Sequence, residues 1–204
     1  PVEWLLDNAT VDSRWTLVHA THLVDNEIQG IAKQGASVSI CTTTEANLGD
    51  GLFPLHAFMQ AGGQFSIGSD SHISVSPIEE LRWLEYGQRL RAHRRNIAAT
   101  EATPSVGETL LSHAWKAGQL GIGQAIGALA SNAFADIITL DSQAPVLVGA
   151  KDHDVLDRLI FAGNRSLIDE VYVAGQRRVS QGHHHAREKV AERYAVTLRR
   201  LLEE

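Results

Sequence analysis

Short apolar runs that stop at glycine or at a polar group alternate with helically spaced apolar residues along the first half of the chain. Val2 to Asn8 carries Trp4, Leu5 and Leu6 and predicts a helix that closes before Asp12-Ser13. Trp15 to His19 is short, apolar and β-branched, the signature of a buried strand. Asp25 is placed to cap a helix through Ile28, Ile31 and Ala32, which Gly35 stops. Ser37 to Cys41 predicts a second strand, and Thr42 to Gly51 reads as a polar loop. Leu55 to Ala61 predicts a helix ending at Gly62-Gly63, and Gln64 to Ile67 a third strand. Pro77, suited to a first helical turn, opens a long amphipathic helix through Leu81, Leu84 and Leu90.

Strands alternating with helices argue for parallel pairing through helical crossovers. Three such units cannot close an eight-stranded barrel and would supply part of one. Beyond the long helix the texture changes. An arginine-rich stretch from Arg89 to Arg95 reads as a solvated helix end. Glu108 to Lys116 predicts a helix terminated by Gly118. Ala135 to Leu140 and Glu170 to Val173 predict strands, the latter turning through Ala174-Gly175-Gln176 into a hairpin with Arg177 to Val179. From Ala186 to Leu202, Val190, Tyr194, Leu198 and Leu201 recur at helical spacing. The expected organisation is a barrel portion over 1–118, part of a small β-sandwich over 119–185 and a terminal helix over 186–204.

Composition narrows the class. The 204 residues are 44% hydrophobic and 21% charged, with a formal charge of −6, so a nucleic-acid surface is not the main purpose. No apolar run reaches the roughly 18 residues of a membrane span, and no signal peptide is visible at the start. The chain begins at Pro1 within a helical pattern and without Met, which predicts a truncated or fragmentary chain. The single cysteine, Cys41, precludes an internal disulfide and fits a reducing, cytoplasmic setting. Within its apolar run a buried structural thiol is expected rather than a nucleophile.

Candidate chemistry lies where strands end, because a parallel β/α scaffold builds its site on that rim. His19 ends the first strand and Asp70 follows the third. A carboxylate there can bind a hard metal and accept a proton from water, and an imidazole can polarise the attacking oxygen. Each has a plainer alternative: a hydrogen-bonded structural histidine, and an aspartate capping a turn. His22 reads as structural, His72 as either a substrate contact or a loop hydrogen bond, and His183-His184-His185 as a solvated loop rather than a metal tract. Gly121-Ile122-Gly123 with Gly127 lacks the strand–turn–helix setting of a dinucleotide site.

Several segments carry a resemblance: LVHATHL at 17–23, CTTTEANLGDGLFPL at 41–55, GSDSH at 68–72, LEYGQRLR at 84–91, ADIITLD at 135–141 and VYVAGQRRVSQGHH at 171–184. They resemble the amidohydrolase superfamily in its deaminase branch, and within it the formimidoylglutamate deiminases. TEANLGDG is the most specific piece, and Thr42 stands where that group usually has proline. The resemblance implies an α/β fold comprising the last three β/α units of a TIM (β/α)8 barrel, part of a small β-sandwich and a C-terminal helix. It implies one divalent metal, usually zinc, with Asp70 as a ligand and proton acceptor and His19 beside the attacking water. The other ligands, an HxH pair and a further histidine, have no counterpart in this chain, nor has the acidic residue that protonates departing ammonia. The implied reaction is metal-dependent deimination of N-formimidoyl-L-glutamate to N-formyl-L-glutamate and ammonia, in histidine degradation. The complete enzyme would be a homodimer taking a small-molecule substrate, with the missing N-terminal half of the barrel as this chain's partner. A guanine, cytosine or triazine deaminase or chlorohydrolase of the same superfamily is the rival. A non-catalytic piece without metal is the other, since one carboxylate and one histidine are too few ligands for tight zinc.

Overall fold

The computed structural model describes residues 1–203, which form two compact units. One comprises Pro1–Gly127 with Gly149–Ala162, the other Ala128–Val148 with the chain from Gly163 onward.

The first unit is built on three parallel strands, β1 (Thr16–Val18), β2 (Ser37–Ile40) and β3 (Gln64–Ile67), paired in the order β1-β2-β3. Val38 faces Leu17 on one side and Phe65 on the other. α1 (Val2–Asn8) precedes them, α2 (Asp25–Gln34) links β1 to β2, and α3 (Thr42–Leu48) and α4 (Leu55–Gln60) link β2 to β3. α5 (Pro77–Ala92), α6 (Val106–Ile122) and α7 (Val155–Phe161) complete the unit. β2 has Val38 and Ile40 fully buried, as expected of a central parallel strand covered on both faces. β1 departs from the buried strand expected: Trp15 is 37% and Val18 54% exposed, because β1 pairs on one side only among the described residues. The core joins Ile28, Ile31, Phe58, Phe65, Leu81, Leu84, Leu110 and Ile160.

Caps explain several boundaries. Ser76 accepts the Glu79 N–H at 3.3 Å and precedes Pro77 in the first turn of α5, and Ser105 accepts the Glu108 N–H at 3.1 Å to start α6. α2 is preceded by Val24, not capped by Asp25: the Glu27 carboxylate reaches back to the Val24 N–H at 3.0 Å and also takes the Glu3 N–H at 2.9 Å. Gly118 does not end α6. Buried Leu110, Leu111, Ala114 and Ala117 hold the helix past it, and Gly123, at φ +67°, is the stop. A single interior glycine costs about 1 kcal/mol relative to alanine, less than such packing returns. Gly107 is required for another reason. A Cβ there would lie 2.5 Å from the Leu156 carbonyl carbon, so only glycine lets α6 start against α7. Its N–H donates to Asp157 at 2.7 Å.

The expected polar loop after β2 is instead α3. Thr42, Thr43, Thr44 and Glu45 are all buried, a helical turn of polar side chains inside the unit. The Glu80 carboxylate of α5 accepts the Thr43 N–H at 2.9 Å and the Thr43 hydroxyl at 2.5 Å, and the Thr42 hydroxyl is shared between the Glu80 main-chain carbonyl at 2.7 Å and the carboxylate at 3.0 Å. These distant partners satisfy the polar atoms that would otherwise have to stay in water.

The second unit contains a four-stranded antiparallel sheet, β4 (Ile137–Leu140), β5 (Ile168–Val173), β6 (Gln176–Ser180) and β7 (His183–His184), in that spatial order. The hairpin turn between β5 and β6 places Ala174 and Gly175 at φ +49° and +76°, the paired left-handed conformation of a two-residue hairpin. Asp136 accepts the Ala174 N–H at 2.7 Å. α8 (Arg187–Leu202) follows. His183-His184-His185 is exposed but is not simply a loop. Two of these residues form β7, and all three Nδ1 atoms have backbone partners, at Gln181, Ala186 and Arg178. Among the described residues no helix is long and apolar enough to cross a membrane.

Candidate active site

β1, β2 and β3 run parallel, so their C-terminal ends lie on one rim of the sheet. His19 leaves β1, Cys41 leaves β2, and Gly68-Ser69-Asp70 leaves β3. The buried first turn of α3 touches all three exits. Glu45 Oε1 accepts the Cys41 N–H at 2.9 Å and lies 3.3 Å from His19 Nδ1. The Thr44 hydroxyl donates to the Ser69 carbonyl at 3.0 Å, accepts the Ser71 N–H at 3.2 Å and lies 2.8 Å from the Ser71 hydroxyl. A hydroxyl has one proton, so the Ser71 hydroxyl is the donor in that last pair. Neighbouring residues of one helical turn thus hold the loop bearing His19 and the loop bearing Asp70.

Both loops depart from ordinary backbone. His19 and Ala20 have φ of +67° and +51°, and Asp70 and His72 have +46° and +58°. Non-glycine residues pay for left-handed geometry, and such residues cluster where a site demands a particular presentation. The His19 N–H donates to the Ser39 carbonyl at 2.9 Å, which fastens the turn to β2. His19 is half-buried and Asp70 exposed. His22 is exposed near Gly51, and exposed His72 donates its N–H to Ser69 at 3.2 Å within the β3 loop.

The electrostatics separate the groups. Burial pushes the Glu45 carboxyl pKa up, while the Cys41 N–H and His19 work in the opposite direction. Its Oε2 is buried with no hydrogen-bond partner among the described residues. Burial, followed by the charges of Glu45, Asp70 and Glu80, pushes the Cys41 thiol from 9.0 up to about 11. Cys41 therefore stays a thiol near neutrality, as expected of a buried structural cysteine. Glu45 is the residue that sequence reasoning passed over. It sits within the most specific motif, and its signal was an acidic residue following three threonines directly after a buried strand.

Zinc in a catalytic site takes three protein ligands and keeps a position for water. Among the described residues, no three His, Cys, Asp or Glu side chains gather so as to hold a metal ion. This donor set does not fit zinc without further ligands. A cleft of about 350 Å³ lined by Pro54, His56, Gln88, Arg91, Arg94 and Ile97 shares no residue with the strand ends.

Residues 1–178 match the amidohydrolase family. The chain belongs to that family. It is 45% identical over 203 residues to formimidoylglutamate deiminase of Pseudomonas aeruginosa, a match covering all of this chain and 45% of that protein. Its structure superposes with a TM-score of 0.92 on the crystal structure of an amidohydrolase from Brucella melitensis at 42% identity, covering 99% of this chain and 44% of the other. An adenosine deaminase from Xanthomonas campestris with bound zinc aligns with a TM-score of 0.72 at 27% identity, over 85% of this chain and 39% of that one. The amidohydrolase chain thus spans less than half the length of these relatives.

Proposed function

We propose that the protein containing this chain hydrolyses N-formimidoyl-L-glutamate. Water adds to the formimidoyl carbon, the terminal C–N bond breaks, and ammonia and N-formyl-L-glutamate result. The observation that carries this reading is the 45% identity to formimidoylglutamate deiminase along the whole chain, against 27% to the adenosine deaminase. Asp70 accepts the proton of the attacking water, and His19 hydrogen-bonds the developing tetrahedral centre. Their placement on loops held by adjacent residues of α3 supports that division of labour.

The zinc named for the adenosine deaminase structure supports a divalent metal here, and Asp70 would be one of its ligands. Zinc lowers the pKa of bound water to about 7. The remaining ligands would come from the part of the relatives' length that this chain does not span. We assign residues 1–118 to the last three β/α units of a (β/α)8 barrel, 119–185 to part of a β-sandwich and 186–204 to a terminal helix. The three parallel strands with helical connections and the antiparallel sheet support that assignment. Kinship to a formimidoylglutamate deiminase supports a place in histidine breakdown, and the complete enzyme is proposed to be a cytoplasmic homodimer.

The test is ammonia release by the intact, zinc-loaded protein from N-formimidoyl-L-glutamate, compared with adenosine, guanine, cytosine and a chlorotriazine. Turnover of formimidoyl-glutamate alone is expected. Turnover of any of the others without it would assign the protein to another deaminase or chlorohydrolase activity.

A further inference from the structure

We infer that Glu45 is a positioning residue that sets the tautomer and orientation of His19. This deepens the proposed function and rests on it for the chemistry, but the contact itself is independent of substrate. The imidazole approaches Glu45 Oε1 through Nδ1 at 3.3 Å. A carboxylate oxygen accepts, so Nδ1 carries the proton and the neutral ring is left with an unprotonated Nε2. A base whose orientation is fixed by a third group is the recurring arrangement of acid–base sites.

The rest of the geometry leaves His19 little freedom. Its backbone is held in the left-handed region at φ +67° and tied to β2 through Ser39, while the ring is tied to α3. Glu45 is fixed in turn: its side chain is 1% exposed, and the Cys41 N–H donates to the same Oε1 at 2.9 Å. A glutamate serving only to cap α3 would need the Cys41 N–H and no more. Glu45 has in addition a second oxygen buried without a partner. A carboxylate in that state is costly to bury, and an N–H donor held against it lowers the cost.

The decisive readout is the ¹⁵N spectrum of labelled histidine, with His19 assigned by its loss in H19N. Wild type should show His19 protonated on Nδ1. In E45L the acceptor is gone and a mixture of tautomers should appear. In E45Q the Cys41 N–H requires the amide oxygen at the Oε1 position, so the Nδ1–H form should persist. In the intact enzyme, E45L should lower kcat by about 10- to 100-fold, the range for lost orienting partners, with KM within about 3-fold. E45Q should recover part of the loss. T42V, in the same buried turn but bonded to Glu80, is the control for general loosening. An Nε2-protonated His19 in wild type would overturn the inference even if E45L failed to fold. So would a wild-type tautomer in E45L, or a kcat loss no larger than that of T42V. If the wild-type enzyme released no ammonia from formimidoyl-glutamate, the substrate reading would fail while the spectra still decided the role of Glu45.

Discussion

Replacing Glu80 with alanine should cost the first unit about 3–4 kcal/mol. Glu80 is 2% exposed and accepts three donors from the first turn of α3. The three losses are unequal. The Thr42 hydroxyl also lies 2.7 Å from the Glu80 main-chain carbonyl and keeps that acceptor after truncation. Among the described residues the Thr43 N–H and hydroxyl have no such alternative. Each donor left buried and unpaired costs about 1–3 kcal/mol, so the two together cost about 2–6 kcal/mol. The removed methylenes add to this, while relief from burying a carboxylate subtracts. Against a typical total stability of roughly 5–15 kcal/mol, the effect is large. Urea unfolding of E80A and wild type gives the difference, and hydrogen exchange at the Thr43 amide localises it. A double-mutant cycle with T43V should show coupling of about 1–2 kcal/mol, because the hydroxyl orphaned by E80A is absent there. A loss below about 1 kcal/mol, or additive effects of the two substitutions, would refute the account of α3 as a turn held by Glu80.

Further predictions concern separate places in the same unit. With its pKa pushed up to about 11, Cys41 should carry roughly a hundredfold less thiolate at pH 8 than an ordinary thiol. Iodoacetamide should label it only in denaturant, and rapid stoichiometric labelling of the native protein would contradict its burial. The folded state keeps this proton longer than the unfolded chain, so Cys41 also predicts stability falling as pH rises from 9 toward 11. His113 stacks on Phe65 at 4.9 Å, and burial, with Lys116 nearby, holds its pKa below the usual histidine value. The unfolded chain takes up that proton first, so stability is lost as pH falls through and below about 6.5. H113F keeps the stacked ring and should flatten that part of the pH–stability profile; an unchanged slope would remove His113 as its source. G107A sets a helix-propensity gain of about 1 kcal/mol against a Cβ 2.5 Å from the Leu156 backbone. Backbone cannot step aside as a side-chain tip can, so a net loss of about 1–3 kcal/mol and a lower Tm are expected. A raised Tm would show that α7 is free to move.

What could be read from the linear chain was whatever depends on near neighbours. The run Gln64 to Ile67 is a strand with the expected bounds, and Val2–Asn8 a helix with its expected ones. Gly35 ends α2 and Ala174-Gly175 turns a hairpin, because apolar spacing and left-handed glycine act over a few residues. The strand-end positions of His19 and Asp70 were legible for the same reason.

Elements whose stability comes from distant partners were not legible. α3 reads as a polar loop because its hydrogen bonds run to Glu80, 37 and 38 residues away, and to Ser69, 25 residues away. α7 gave no signal, and it is held by Asp157 at Gly107, 50 residues earlier, and by Ile160 in the core. Glu45 is one acidic residue in a polar motif until folding brings it against His19, 26 residues upstream. Local pattern decided which segments became strands and where two reactive side chains would emerge. Only tertiary packing decided that a turn of threonines and one glutamate would be buried beneath them, because a buried polar group is stable only where the fold supplies its partner.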